Sequence, residues 1–255
     1  MPIHLKSLHE FSVLTLDRPA ALNALDAAII AEFTAALQAV RHADSRALII
    51  TGGGTKAFCV GADLKEIRAS TAEAQRATIQ SVQAAFDQLE QLPIPSIAAI
   101  DGYAFGGGLE LALACTFRVA TPRSVMALPE ITLGLIPGYG GTQRLPRLIG
   151  HGRALEMIMS GRQMDAAEAL STGLINRMAF GDVMQEAITF ARTFAGHSRA
   201  ALALAREAVH CAADTSLEEG LSIERGLIGR ALQSDDGKEG MTAFVEKRKP
   251  VFQDR

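Results

Sequence analysis

The sequence predicts an α/β fold with crossover connections that gives way to helices near the C-terminus. Short apolar runs bounded by Gly or Pro alternate with stretches of helical period as far as about Gly181. From there to Arg248 nearly every stretch reads as helix. The chain has 255 residues, 48% hydrophobic and 21% charged, so it can bury a sizeable core. The expected division is an α/β core over residues 1–195 and a helical region over residues 196–255, with no Ser/Gly linker between them.

Phe11-Ser-Val-Leu-Thr-Leu-Asp17 alternates in polarity and reads as a strand that stops at Arg18-Pro19. Asp26 can cap a helix whose apolar residues Ile29, Phe33, Leu37 and Val40 share one face. Ala47 to Thr51 is a short apolar strand ended by Gly52-Gly-Gly54. A loop over Ala57 to Asp63 leads into helical sequence to about Leu92, which Pro93 and Pro95 close. Ser96 to Ile100 reads as a buried strand. Gly106-Gly-Gly108 then opens an apolar helix, Leu109 to Cys115, and Phe117 to Ala120 reads as another strand. Such alternation implies an α/β arrangement.

Composition narrows the function. The net charge is −3, with no basic block, no Trp and only two Tyr. That argues against nucleic acid as the main ligand, because phosphates need cations and bases need stacking surfaces. Cys59, Cys115 and Cys211 form no CxxC pair and read as reduced thiols of a cytoplasmic protein. The segment Met1 to Asp17 lacks the apolar core of a signal peptide, and no run reaches membrane-spanning length. The six His residues are scattered, so no metal site is expected. Walker, GxSxG, HExxH and strand-linked GxGxxG patterns are absent.

Two stretches can carry chemistry. In Asp101-Gly-Tyr-Ala-Phe-Gly-Gly-Gly-Leu-Glu-Leu-Ala-Leu-Ala-Cys115, three glycines leave backbone N–H groups open at the positive end of a helix. A developing negative oxygen can bind there. Glu110 lies in the first turn of that apolar helix, either as a buried carboxylate or as a simple helix cap. In Ala127 through Thr142, Glu130 is again a lone carboxylate among apolar residues, ahead of the turn Pro137-Gly-Tyr-Gly-Gly141. It could instead end a strand and pair with Arg144 or Arg147. Two buried carboxylates near one oxyanion site would suit proton transfer at neutral pH.

Ala57-Phe-Cys-Val-Gly-Ala-Asp-Leu-Lys-Glu66, Gly102 through Glu110, and Pro129-Glu130 through Pro137-Gly-Tyr-Gly-Gly-Thr-Gln-Arg-Leu145 resemble the crotonase, or enoyl-CoA hydratase/isomerase, family. So do Arg18-Pro19 with Leu22-Asn-Ala-Leu25, and Lys238 through Arg248. The resemblance implies a crotonase-like α/β fold of repeated ββα units with a helical C-terminal trimerisation region, assembled as a homotrimer or a hexamer (a dimer of trimers). It implies an acyl-CoA thioester substrate whose CoA part lies along Val60, Ala62, Asp63, Leu64 and Lys65, with Phe244 and Lys247 approaching it. It further implies an oxyanion hole from the N–H groups of Ala62 and Gly107, and a water held partly by the N–H of Gly138. Glu110 and Glu130 would be the catalytic pair of a hydratase, with no metal, no cofactor and no membrane attachment required.

Three positions depart from the pattern of hydratases. Thr116 replaces a common Asp after the helix Cys, Val60 replaces a common Ala, and Tyr139 is bulkier than the small residue usual between those glycines. Tyr139 bears on the substrate more than on the reaction. Related readings are a methylglutaconyl-CoA hydratase or an enoyl-CoA isomerase. RNA binding, found in one branch of the family, would need a Lys-rich helix, whereas Val40 to Ala47 contains no Lys.

Overall fold

The structure is a computed structural model and describes residues 2–254. An antiparallel hairpin of β1 (Ile3–Leu8) and β2 (Phe11–Leu16) opens the chain, followed by α1 (Ala27–His42). The Asp26 side chain accepts the N–H of Ile29 at 2.8 Å and starts that helix, which buries Ile29, Phe33, Leu37 and Val40.

A ββα unit then recurs three times. The first comprises β3 (Leu48–Gly52), β4 (Ala57–Cys59), α2 (Leu64–Ala69) and α3 (Ala72–Glu90). The second is β5 (Ser96–Ile100), β6 (Tyr103–Phe105) and α4 (Gly107–Ala114). In the third, β7 (Phe117–Ala120) and β8 (Val125–Ala127) lead through a 3-10 turn at Glu130–Leu133 to α5 (Gly141–Ile149). After these come α6 (His151–Ser160), β9 (Met164–Asp165), α7 (Ala166–Thr172), β10 (Arg177–Met178) and α8 (Val183–Ala195).

In each unit the first strand joins one sheet and the second joins another. Among the described residues the larger sheet has the order β1-β2-β3-β5-β7-β10, and the smaller the order β4-β6-β8-β9. β2, β3, β5, β7 and β10 run parallel to one another, and only β1 is antiparallel among the described strands of this sheet, with Ile49 beside Ile97 and Ala99 beside Val119. Leu48, Ile49, Ile50 and all of β5 are buried, which is why these strands read as unbroken apolar runs.

The structure corrects several local expectations. The expected loop from Ala57 contains β4, and β6 and β8 are strands that the sequence did not signal. The helical stretch before Leu92 is two helices, because Thr71 caps α3 by accepting the N–H of Ala74 while the N–H of Ser70 closes α2 on Ile67. α4 begins at Gly107 rather than Leu109.

Of the described residues, those up to Leu92 together with Ser96–Ala191 form one compact unit. Pro93–Pro95 and the residues from Arg192 onward form a second. The second unit holds α9 (Arg199–Cys211), α10 (Leu217–Gln233) and α11 (Asp235–Val245). Ser216 and Glu219 make a reciprocal capping box at the start of α10. Leu217, Leu221, Ile228 and Leu232 are all exposed along it. No helix among the described residues is long and apolar enough to cross a membrane.

Candidate active site

The ends of three small-sheet strands supply the chemistry. Beyond β4, residues 60–63 are zipped to residues 22–25: Val60 N–H donates to Leu22 O, Leu25 N–H to Gly61 O, and Asp63 N–H to Leu25 O. That pattern passes over Ala62, whose N–H has no partner among the described residues. Gly107, at the first position of α4, likewise has an unpartnered N–H, as the first turn of a helix dictates. The two segments touch, since a Cβ on Gly61 would lie 2.7 Å from Gly107 N. Gly106, with φ 50° and ψ −128°, makes the sharp entry into α4 that a side chain would oppose.

Glu110 is 1% exposed in the first turn of α4. It does not cap that helix. Its Oε1 instead accepts the N–H of Tyr139 at 2.8 Å and the N–H of Gly141 at 2.7 Å, across the turn that precedes α5. Burial pushes the Glu110 carboxyl up to about 7, against the pull of those N–H groups, and the nearby Glu130 adds to the rise.

Glu130 starts the 3-10 turn beyond β8, and the N–H of Gly106 donates to Ala127 O at 2.9 Å, tying that strand end to the start of α4. Oε1 of Glu130 lies 2.9 Å from where a Cβ on Gly106 would stand. Its Oε2 is buried without a hydrogen-bond partner, and burial raises its pKa. The alternative pairing with arginine is not made: Arg144 binds Glu90 and Asp87 on α3, and Arg147 Nη1 donates to Gln143 O. A buried carboxylate oxygen with no partner is costly, so the position is set by something other than local stability.

The turn over Glu110 is held firmly. Arg144 Nη1 donates to Tyr139 O at 3.0 Å while its other nitrogens grip Glu90 and Asp87. Gln83 Nε2 donates to Gly138 O at 2.8 Å, whereas the N–H of Gly138 has no partner among the described residues. Of these positioning residues, Arg144 lies in a stretch the sequence singled out but with a different expected partner, and Gln83 carries no motif that sequence reading alone could single out.

Val60, Asp63, Leu64 and Lys65 follow β4 in one continuous segment. Asp63 caps α2 and binds Arg18 at 3.0 Å, while Leu64 and Lys65 are exposed. Phe244 and Lys247 belong to the second unit, where Phe244 is 84% exposed and Lys247 follows α11 with φ 55°. Thr116 exchanges hydrogen bonds with Ser96, an uncharged local link where an Asp is common. No cluster of His, Cys, Asp and Glu among the described residues is arranged to hold a metal.

The family model described as enoyl-CoA hydratase/isomerase matches residues 9–255. A protein of Mycobacterium bovis named "Probable enoyl-CoA hydratase echA8" is 44% identical over 246 residues, covering 95% of this chain and 94% of its own. The "Enoyl-CoA hydratase, mitochondrial" of Pongo abelii is 40% identical, covering 95% of this chain and 83% of its own. The crystal structure of an enoyl-CoA hydratase from Bacillus anthracis superposes with a TM-score of 0.95 at 39% identity, covering 100% of both chains.

Proposed function

This chain belongs to the enoyl-CoA hydratase/isomerase family, and we propose that it is an enoyl-CoA hydratase, adding water to a 2-enoyl-CoA to give the 3-hydroxyacyl-CoA. The observation that carries this reading is the unequal pair of buried carboxylates. Glu110 is held by two N–H donors, while an oxygen of Glu130 is left with none.

In this reading the thioester oxygen accepts the unpartnered N–H groups of Ala62 and Gly107. Each such donor lowers the barrier by about 3–4 kcal/mol as enolate charge develops. Withdrawing charge toward that oxygen leaves carbon 3 electrophilic and makes carbon 2 basic. Two N–H bonds favour the ionised form of Glu110, which takes a proton from the water attacking carbon 3, with the N–H of Gly138 helping to place that water. Glu130, buried with no donor on Oε2, is cheaper to bury protonated, and it delivers its proton to carbon 2. Proton count and charge balance without a metal or redox cofactor, so none is required.

The CoA moiety runs along Val60 to Lys65. The helical region over residues 196–255 assembles the chain as a homotrimer or hexamer, covering exposed side chains such as Leu217 and Ile228. The three cysteines are all free, Cys59 and Cys115 being buried, which suits a reducing cytoplasm and a role in fatty-acid breakdown. The test is loss of conjugated absorbance when purified protein meets a short-chain 2-enoyl-CoA without added metal or nucleotide. No turnover at any chain length, with thioester binding intact, would sink the hydratase reading.

A further inference from the structure

Tyr139 is 7% exposed, and its ring stands against the backbone of Gly107. A Cβ on Gly107 would lie 2.8 Å from the ring Cδ2 and 3.0 Å from Cε2. On its other side the ring meets Phe86 of α3 edge to face, with centroids 6.3 Å apart. Its main chain is pinned at both ends of the residue, by N–H to Glu110 and by Arg144 to the carbonyl. Rotation is therefore opposed by Phe86, by Gly107 and by the anchored turn. The hydroxyl has no hydrogen-bond partner among the described residues. Burial, then the charges of Glu110, Glu66, Cys59 and Glu130, push the phenol up to about 12, so the ring stays neutral beside both carboxylates.

Tyr139 is thus a bulky side chain standing against Gly107, one of the two proposed oxyanion donors, on the same residue whose N–H holds Glu110. Resting on the hydratase reading, we propose that Tyr139 limits the length of the acyl chain, so that the site takes short 2-enoyl thioesters and rejects long ones. The limit is steric. The contribution of Tyr139 to Glu110 is a main-chain N–H, which any residue but Pro supplies, so changing the side chain separates chain length from chemistry.

The test is kcat/KM for four-, six-, eight- and ten-carbon 2-enoyl-CoA substrates. Wild type should favour four carbons over ten by at least about tenfold, the discrimination that a single methylene in a closed pocket can give. Tyr139→Ala should erase or invert that ratio. Tyr139→Leu, which fills more of the vacated space and guards against a misfolded Ala variant, should fall between. Tyr139→Phe should keep the wild-type ratio. Equal wild-type rates at all four lengths would overturn the proposal while leaving the hydratase reading intact. So would a Tyr139→Phe profile as altered as that of Tyr139→Ala. No turnover at any length would remove the hydratase reading and this proposal together.

Discussion

The two sheets arise from the same crossovers yet differ in almost every physical respect. The strands β2, β3, β5 and β7 of the larger sheet are four to six residues long and largely buried. The smaller sheet is made of strands of two or three residues. Each site-bearing segment leaves one of those short strands: residues 60–65 after β4, Gly106 to Glu110 after β6, and Glu130 after β8. The larger sheet holds the apolar packing, and the smaller one aims groups that are costly to bury. Stability and catalysis should therefore respond to different substitutions.

The largest effect tests the small-sheet side. Glu110→Gln and Glu130→Gln should each lower turnover by about 10²–10⁴-fold with the Michaelis constant nearly unchanged, since Gln keeps shape but exchanges no proton. The double variant should lose far less than the product of the two. Steady-state kinetics decide this, and near-normal rates in both single variants would make the carboxylates structural. Deuterium exchange at carbon 2 should suffer more in Glu130→Gln.

On the large-sheet side, Ile97 is 0% exposed in β5, between β3 and β7. Ile97→Ala should cost about 2–5 kcal/mol of stability through lost burial and the cavity left behind. The fraction that remains folded should keep its kcat within a few-fold. Denaturant unfolding alongside kinetics would show whether the two properties separate. A collapse of kcat at unchanged stability would break the comparison.

Glu110 sharpens it from the other direction. Its carboxyl is raised from 4.5 to about 7 in the folded protein. The unfolded chain releases that proton first, so wild-type stability falls as pH rises through this window. By pH 8 the penalty reaches about 3 kcal/mol, at about 1.4 kcal/mol per pH unit. Glu110→Gln escapes the penalty, so its unfolding temperature should exceed that of wild type at pH 8 and match it near pH 4. A variant that is less stable at both pH values would overturn the claim that this site costs stability.

The smallest expected effect lies in the pH–rate profile. With Glu110 as the base, activity should fall as pH drops below about 7, well above the ordinary carboxylate range. Glu130 is protonated in this reading and carries no charge to remove, so the acid limb of the residual Glu130→Gln activity should stay in place. A limb that moved to lower pH would show that Glu130 is ionised while Glu110 titrates.

The sequence by itself determined four strands of the larger sheet, though not β1 or β10, and singled out both acids. β2, α1, β3, β5 and β7 carry enough apolar residues in period, with Asp26 and Pro19 as boundaries, for local chemistry to define them. Glu110 and Glu130 stood out because each is a lone charge in an apolar run. Only the tertiary structure decided which partners each would have. Strands as short as β4, β6 and β8 contain too few residues to display a period, and their pairing depends on crossovers from distant parts of the chain. Those pairings bring the N–H groups of Tyr139 and Gly141 to Glu110, leave Oε2 of Glu130 without a donor, and set the Tyr139 ring on Gly107. A carboxylate's protonation is governed by the donors, charges and solvent around it, and here these come from residues far apart in sequence.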